Sequence, residues 1–342
     1  MRSLVFPRVS KTPSARPFAQ LFRVIDLIHE ALVDGVPVTK RDIYYKDVQL
    51  FRSQATVDRL VDDLAATLQL TRADLDVRAS SKGLMCGSGV TMHMQSGETL
   101  ELCDGDASLI PPSEDIKRFA VAQTLAWVLV VEKEAVFQTL CRLRLATHET
   151  LPGSGLIVTG KGYPDVATRQ LVKTLADNLP ARVPILALVD GDAYGIDILS
   201  VYKHGSTRMR HENSHLAADR VQWLGLWASE LASLGIDKDA LLPITKHDEK
   251  KARSLLKREN LPARWRKELQ YMLFSRRKAE IEVLGAARAT QESIADLTQA
   301  ASFSHCDFNR ERAGGSPGTP LSRYLVKKIG DACTESGHSS ED

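Results

Sequence analysis

The sequence has no long apolar run and no paired cysteines. Its longest apolar run, LAWVLVV at 125–131, is far shorter than a membrane-spanning helix, and the N-terminus lacks the apolar core of a signal peptide. The five cysteines are odd in number and form no CxxC pair, so they do not suggest a secreted disulfide framework. We expect free thiols without a metal, no membrane association, and a cytosolic or nuclear protein.

A strong charge of one sign is also lacking. The formal net charge is +2 over 342 residues, so any nucleic-acid surface must come from local basic clusters. Two such clusters are KKARSLLKR at 250–258 and SRRK at 275–278. With 43% apolar and 26% charged residues, the chain has the composition of a soluble globular protein long enough for two domains.

Residues 15–112 are predicted to form a winged-helix domain. Apolar residues recur at helical spacing in 18–33 and again after Ser53, which predicts two amphipathic helices. A shorter helix lies between them and begins at TKRD, where Thr39 and Asp42 are spaced as a capping box. The β-rich segments LDVRAS, LMCGSG, VTMHMQ and TLEL follow, broken by glycines, and predict short antiparallel strands.

From residue 119, buried apolar runs alternate with helical patterns. The runs LAWVLVV, GLIVT and VPILALV are separated by helical stretches at 133–148 and 165–179, which predicts βαβ units and a parallel sheet. The residues that follow the runs are Glu132, Gly160-Lys161 and Asp190-Gly191-Asp192. Since sites in open parallel sheets form beyond the carboxyl ends of strands, we expect these residues to meet at one edge.

The C-terminal part is predicted to be helical and interrupted. Residues 116–290 are expected to form the parallel-sheet domain and a basic helical extension. The tryptophans at 223, 227 and 265 are interpreted as packing residues rather than base-stacking platforms. Residues 291–320 are rich in helix breakers and polar residues, which predicts a flexible insertion. Residues 321–342 form a C-terminal segment and tail.

Three carboxylates at one sheet edge are candidates for a metal site. Clustered oxygen ligands from Glu132, Asp190 and Asp192 suit Mg²⁺, a hard cation. Strand ends also often carry solvated acids, so architecture alone leaves the two interpretations evenly balanced. Asp197 falls in a predicted helix and is not included.

The segment GLIVTGKG at 155–162 nearly fits a phosphate loop but fails in two places. Gly162 stands where the metal-binding hydroxyl residue belongs, and the four intervening positions are apolar strand residues rather than open loop amides. ATP binding at this segment is therefore disfavoured.

Tyr45 is the candidate nucleophile of the tyrosine pair in KRDIYYKDVQLF. If Ile43 faces the core, Tyr45 lies about 200° around the helix and points outward, whereas Tyr44 lies about 100° away on the flank. A phenol with a pKa of about 10 attacks phosphorus poorly unless a base, a basic neighbour or a metal favours the phenolate. Arg41, one turn back, would supply positive potential. Without other knowledge, ordinary packing remains the commoner role of such a pair.

Six segments in order resemble the meiotic double-strand-break transesterase family, the eukaryotic relatives of the topoisomerase VI A subunit. The resemblance runs from about residue 18 to 285 and implies a winged-helix domain of the catabolite-activator type joined to a Toprim domain. The segments are TKRDIYYKDVQLFRSQATVDRLVDDL, SSKGLMCG, VLVVEKEAVFQTL, VTGKGYPDVATRQLVKTL, LVDGDAYGIDILSVYKHGS and RVQWLGL.

The resemblance also implies a reaction. Tyr45 matches the family's nucleophile, which attacks a DNA phosphate, expels the 3′-hydroxyl and stays joined to the 5′ end. Glu132, Asp190 and Asp192 match the family's Mg²⁺ ligands. The expected outcome is a double-strand break that initiates meiotic recombination. Alternatives are the A subunit of a type IIB topoisomerase in general chromosome maintenance, or a relative that binds DNA without cutting it.

The resemblance implies partners as well. Arg41, Lys82 and Lys161 match basic positions that we assign to DNA phosphates or the reacting strand. The family cuts double-stranded DNA as a homodimer, works with further meiotic break-forming proteins and a topoisomerase VI B-like subunit, and acts on chromosomes in the nucleus. Ala193 departs from the pattern, because the family often has proline there. The separation of AEIEVLGAARAT from LSRYLVKKI by residues 291–320 puts the C-terminal packing in doubt.

Overall fold

A computed structural model describes residues 15–78, 81–286 and 319–338. The predicted flexible insertion at 291–320 lies almost entirely outside these residues, as does the end of the tail. Cys86, Cys103, Cys141 and Cys333 are free thiols, while Cys306 lies outside the described ranges. In the part of the chain that is described, no helix is long and apolar enough to cross a membrane.

The helices and strands follow the predicted alternation closely. The α-helices are α1 (Ala15–Asp34), α2 (Lys40–Lys46), α3 (Val48–Phe51), α4 (Gln54–Leu68), α5 (Glu134–Arg142), α6 (Val166–Asn178), α7 (Ala193–His204), α8 (Asn213–Leu216), α9 (Lys246–Leu256), α10 (Ala263–Ser275), α11 (Val283–Ala286) and α12 (Pro320–His338). The strands are β1 (Val38–Thr39), β2 (Val77–Arg78), β3 (Leu84–Gly87), β4 (Val90–Met94), β5 (Thr99–Glu101), β6 (Ser108–Leu109), β7 (Ile116–Val121), β8 (Leu125–Val131), β9 (Ser154–Thr159), β10 (Ile185–Leu188), β11 (Val221–Gly225), β12 (Leu242–Pro243) and β13 (Arg277–Lys278).

Helices α1 to α4 form a helical unit with its own apolar core. Val24 and Leu27 of α1, Ile43 of α2, Phe51 of α3 and Val57 of α4 are all fully buried in it. The predicted helices are confirmed, and so is the capping box that begins α2. The sequence pattern did not predict α3, a single turn that begins where the Asp47 side chain accepts a hydrogen bond from the Leu50 N–H at 3.1 Å.

Among these strands, β2 pairs with β1 and packs in the core of the helical unit, whereas β3, β4 and β5 pack outside that core. β4 pairs antiparallel with β5 and β7 in a three-stranded sheet, but β3 pairs antiparallel with β9 in the central sheet. Met85 and Cys86 are both fully buried and face opposite apolar clusters, so β3 needs a covered layer on each side. One strand expected in residues 15–112 therefore belongs to the sheet of the second half.

The central sheet has six strands in the order β11-β10-β8-β9-β3-β6, and its first four are parallel. Alternate residues of β8 point to opposite faces, with Val128 and Val130 on one side and Trp127 and Leu129 on the other. Helices α6 and α7 cover the first face, and α5 and α12 cover the second. The predicted parallel α/β layer is confirmed.

The C-terminal segments pack on this sheet. Trp223 and Trp265 are buried edge to face with ring centroids 6.1 Å apart, which confirms their packing role. Leu325 and Ile329 of α12 are fully buried against the second face. The C-terminal packing that the sequence left in doubt is therefore intact.

Candidate active site

The ends of two neighbouring strands bring the first two acids together. β10 pairs with β8 in a register that sets Leu188 opposite Val131, so Glu132 and Asp190 leave the sheet side by side. The Asp190 N–H donates to Oε2 of Glu132 at 2.9 Å. This contact follows from parallel pairing, which aligns the carboxyl ends of adjacent strands.

The third acid begins the helix that follows the turn. Asp192 is the N-cap of α7, and its Oδ1 accepts the N–H groups of Tyr194 and Gly195, each at 2.8 Å. A Cβ at Gly195 would lie 2.3 Å from the carbonyl oxygen of Asp190, so this close turn requires glycine. Ala193 occupies the first helical position, where proline is also favoured, and the departure from the family pattern leaves the turn intact.

All three carboxyl groups hold their protons more tightly than usual. Burial raises the pKa of Glu132 to about 8, and the neighbouring charge of Asp190 adds to the shift. Burial also raises the pKa of Asp190, to about 6, and that of Asp192. Asp190 and Asp192 are only 7% and 8% exposed. Crowded, buried carboxylates of this kind favour a cation that neutralises them.

Residues that the sequence analysis did not assign to the site also contact the acids. The Lys133 Nζ lies 3.2 Å from Oδ2 of Asp190, and the Ile281 N–H donates to Oδ1 of Asp190 at 2.9 Å. Lys278 lies 3.9 Å from Asp192 and 3.2 Å from Asp248. The one signal for these contacts in the sequence was that Lys133 directly follows Glu132.

The donor set fits Mg²⁺ in its chemistry. All three acids offer carboxylate oxygens, which Mg²⁺ prefers. Within the described ranges, no group of three His, Cys, Asp or Glu side chains is arranged to hold one ion. The carboxylate oxygens of the three acids are instead engaged by backbone N–H groups and by the Lys133 ammonium. Coordination therefore requires some carboxylates to turn away from these partners.

The predicted nucleophile is on the helical unit. Tyr45 is 64% exposed, whereas Ile43 is fully buried and Tyr44 is partly buried against the core of the unit. This is the arrangement that helical periodicity predicted. The two phenol rings contact each other with centroids 5.4 Å apart, and Arg41 is exposed on the same helix. The tyrosine and the three acids belong to units with separate apolar cores.

Lys82 and Lys161 lie together near the acids. The Lys82 Nζ donates to the backbone oxygen of Lys161 at 3.1 Å, and the Gly162 N–H donates to the backbone oxygen of Glu132 at 2.9 Å. The Asp165 carboxylate fixes the loop that carries Lys82 by accepting the Lys82 N–H at 2.7 Å. Lys82 is exposed, but the Lys161 ammonium pairs with Glu134 at 2.9 Å.

The two basic clusters are partly neutralised by ion pairs. Lys251 and Arg258 of the first cluster both contact Asp197, at 2.6 and 2.7 Å. Arg276 of the second contacts Glu249 at 2.9 Å, and Lys278 faces the acids. The number of basic residues in the two clusters therefore overstates the positive charge that they present at the surface.

The near phosphate loop is part of a strand. Leu156, Ile157 and Val158 are fully buried in β9, so their amides do not form an open loop. This agrees with the rejection of an ATP site there.

The chain is similar to known proteins over most of its length. Residues 127–293 match the Toprim domain of the Topoisomerase 6 A-subunit/Spo11 family, and residues 16–77 match the family described as "Type IIB DNA topoisomerase". The chain is 38% identical over 279 residues to meiotic recombination protein SPO11 of Mus musculus, a match that covers 81% of this chain and 69% of that protein.

Two further relatives have similar identity. Meiotic recombination protein rec12 of Schizosaccharomyces pombe is 38% identical over 281 residues, which covers 82% of this chain and 75% of the relative. The A3 subunit of DNA topoisomerase 6 from Oryza sativa subsp. indica is 37% identical over 286 residues, which covers 80% of this chain and 63% of the relative. The four parallel strands lie almost entirely within the Toprim match, and the three acids lie entirely within it. The chain belongs to the family of topoisomerase 6 A subunits and Spo11 proteins, the type IIB DNA topoisomerases and related DNA-cleaving transesterases.

Proposed function

We propose that this protein makes DNA double-strand breaks through a covalent link to Tyr45 and thereby initiates meiotic recombination. The observation that carries the proposal is the contrast between adjacent tyrosines. Tyr45 is 64% exposed on a capped helix, while Tyr44 packs against the helical core. The names of the mouse and fission-yeast relatives, both meiotic recombination proteins, support the biological role.

The reaction is a transesterification at phosphorus. The phenol oxygen of Tyr45 forms a bond to a backbone phosphate as the bond from phosphorus to the 3′ oxygen breaks. The phenol loses its proton, the 3′ oxygen leaves as a hydroxyl, and the 5′ phosphate stays on the enzyme. Arg41, exposed on the same helix, would supply positive potential beside the reacting phosphate.

Glu132, Asp190 and Asp192 would hold Mg²⁺ at the sheet edge. Bound there, the ion would neutralise charge on the reacting phosphate and the departing oxygen. The buried carboxylates, whose pKa values are raised, support a cation at this position. Lys82 and Lys161, which lie in adjoining loops, would hold phosphates of the strand without reading its sequence.

The helical unit and its strands would form a winged-helix domain that holds the duplex. Since the tyrosine and the acids belong to separate cores, a site can combine the tyrosine of one protomer with the acids of its partner. Two such sites cut both strands. We infer a homodimer on nuclear chromosomes, assisted by other break-forming proteins and by a topoisomerase VI B-like subunit.

The test is the pair of variants Tyr45→Phe and Tyr44→Phe. Tyr45→Phe should abolish covalent protein–DNA adducts recovered after denaturation, while DNA binding, measured by fluorescence anisotropy, stays within about threefold because the ring remains. Tyr44→Phe is the matched control and should still form adducts. Adducts formed by Tyr45→Phe would refute the nucleophile.

A topoisomerase A subunit that acts in chromosome maintenance is the second candidate. The 37% identity to the A3 subunit of topoisomerase 6 from Oryza sativa favours it nearly as well as the meiotic relatives favour the first. Supplying a B-type subunit with an intact ATP site would separate the two. ATP-dependent relaxation of supercoiled DNA would indicate a topoisomerase, and breaks that persist would indicate the meiotic role.

A further inference from the structure

The Lys133 ammonium is surrounded by carboxylates. Its Nζ lies 3.2 Å from Oδ2 of Asp190, 3.2 Å from Oε2 of Glu280 and 2.7 Å from Oε2 of Glu282. Its side chain is 24% exposed, so the charge is partly shielded from water. Three oxygens around one cation resemble the first half of a metal coordination shell.

These contacts leave Asp190 with no disengaged oxygen. Oδ1 accepts the Ile281 N–H at 2.9 Å, and Oδ2 faces the Lys133 ammonium. A divalent cation that takes Oδ2 of Asp190 must share it with the ammonium or move the ammonium away. Two positive charges on one oxygen repel each other strongly in a buried site.

Glu280 and Glu282 offer the ammonium another position. They are 45% and 52% exposed and flank Ile281, whose N–H holds Asp190. Because Lys133 already contacts both glutamates, loss of its Asp190 contact leaves two ion-pair partners in place. Displacement by a metal therefore does not leave the ammonium without partners.

We propose that Lys133 is the resident counter-ion of the acidic edge, which a divalent cation displaces from Asp190 towards Glu280 and Glu282. The charge of Lys133 thereby sets the metal concentration at which the site fills, and it keeps the metal-free acids from repelling each other. This inference rests on the metal site in the proposed function. A different role, in which Lys133 only orients Asp190 for the metal, predicts the opposite effect on metal affinity.

The test measures Mn²⁺ binding without DNA, by the EPR signal of free aqueous Mn²⁺. Removing the charge in Lys133→Met should tighten binding at the acidic edge about tenfold, because a positive charge next to the ion is lost. Lys133→Gln, which keeps a hydrogen-bond donor for Glu282, should do the same and replaces the Met variant if that one fails to fold. Lys133→Arg keeps the charge and should stay within about twofold of wild type.

Two further variants define the site. Asp190→Asn should abolish Mn²⁺ binding at the acidic edge, which distinguishes that site from any other that takes up Mn²⁺. Lys173→Met breaks an ion pair with Asp177 on the surface of α6 and should leave Mn²⁺ affinity unchanged. In chelator, the melting temperature of Lys133→Met should fall below that of wild type. Adding Mn²⁺ should then raise the melting temperature of the variant by more than it raises that of wild type.

The outcomes distinguish the counter-ion role of Lys133 from the metal site itself. If wild type binds Mn²⁺ at a site lost in Asp190→Asn, but Lys133→Met and Lys133→Gln bind it equally or more weakly, the counter-ion role is overturned and the metal site stands. If no binding depends on Asp190, the metal site itself is refuted and the inference falls with it.

Discussion

Two buried carboxylates, one in α7 and one just before it, take different roles according to the donors that they meet. Asp197 of α7 is 6% exposed and accepts hydrogen bonds from Tyr163, Lys251 and Arg258 at 2.6 to 2.7 Å. Burial alone would raise the pKa of Asp197, but these hydrogen bonds outweigh it and lower the pKa. At Asp190 burial dominates and the pKa rises to about 6. Asp197 therefore stabilises the fold, and Asp190 remains suited to a cation.

Asp197→Asn should lower the free energy of unfolding by about 2–3 kcal/mol at pH 7, because Lys251 and Arg258 lose a buried partner. The pKa of Asp197 is lower in the folded state, so its contribution is complete above the ordinary value of 3.8 and is lost as pH falls through the folded pKa. Urea unfolding of both proteins from pH 7 to pH 3 should show the difference narrowing below about pH 4.

The control for this effect is Asp177→Asn, which removes an exposed partner of Lys173 and should change stability by less than about 0.5 kcal/mol. A difference between wild type and Asp197→Asn that stays constant down to pH 3 would contradict the ionised role of Asp197.

Glu132→Gln should separate activity from stability. The amide oxygen can still accept the Asp190 N–H, but the amide cannot ionise to bind a cation. We expect DNA cleavage to fall by a factor of about 100 or more. At pH 7 the melting temperature in chelator should rise, because Glu132, whose pKa is raised to about 8, must take up a proton on folding and Gln need not. Adduct assays and scanning calorimetry measure the two effects. A lower melting temperature in chelator would show that the Glu132 charge stabilises the metal-free fold.

Some site residues were predictable from the sequence and others were not. Glu132 and Asp190 follow from strand ends, and the exposure of Tyr45 follows from helical periodicity, because both patterns are local. The approach of Lys278 and Ile281 to the acids depends on where a segment far along the chain is placed. Tertiary packing of this kind leaves no local pattern.

At the scale of elements, α2 is a short helix held by its first turn. The Thr39 N–H and Oγ1 both donate to Oδ2 of Asp42, at 2.9 and 2.8 Å, and the Asp42 N–H donates to Oγ1 of Thr39 at 3.1 Å. A helix of seven residues is unstable alone, so this cap and the buried Ile43 hold the tyrosine in place.

Thr39→Ala should lower the free energy of unfolding by about 1 kcal/mol and slow adduct formation, because α2 frays at its start. The chain contains a matched control, since Thr71 and Asp74 make the same contacts at the start of the short 3₁₀ helix Ala73–Leu75. Thr71→Ala should cost similar stability in urea unfolding but leave adduct formation unchanged. Equal slowing by both variants would mean that global stability, not the position of α2, limits the reaction.

The strands show where element-level prediction fails. The longer helices and the runs that contain β8, β9 and β10 were predicted, because those apolar patterns are long, whereas the single turn α3 was not. β3 has only four residues, and its sequence does not distinguish a wing strand from a strand covered on both faces. Its pairing with β9 decides the matter, and that pairing joins residues about seventy positions apart.

At the scale of the whole molecule, α12 completes the second layer on the sheet. Leu325 and Ile329 are fully buried there, and the Tyr324 hydroxyl and the Lys328 ammonium reach Glu230 at 2.7 and 2.6 Å. The helix thus closes a core that also contains α5 and one face of β8, the strand that Glu132 follows.

Leu325→Ala should lower the free energy of unfolding by about 2–5 kcal/mol, because it leaves a cavity in this core. Lys327→Ala, an exposed neighbour on the same helix, should change it by less than about 0.5 kcal/mol. Chemical unfolding measures both. A small loss for Leu325→Ala would mean that α12 contributes little to the sheet's stability.

The chain leaves and rejoins this core at neighbouring points. Leu284 of α11 and Leu321 of α12 belong to the same buried cluster, and Gly285 and Leu321 line one small cavity. Whatever length of polypeptide connects them, both of its anchors are already side by side. Related proteins can therefore lengthen or shorten that connection, or carry a fused tag within it, without shifting the strands that present the acids.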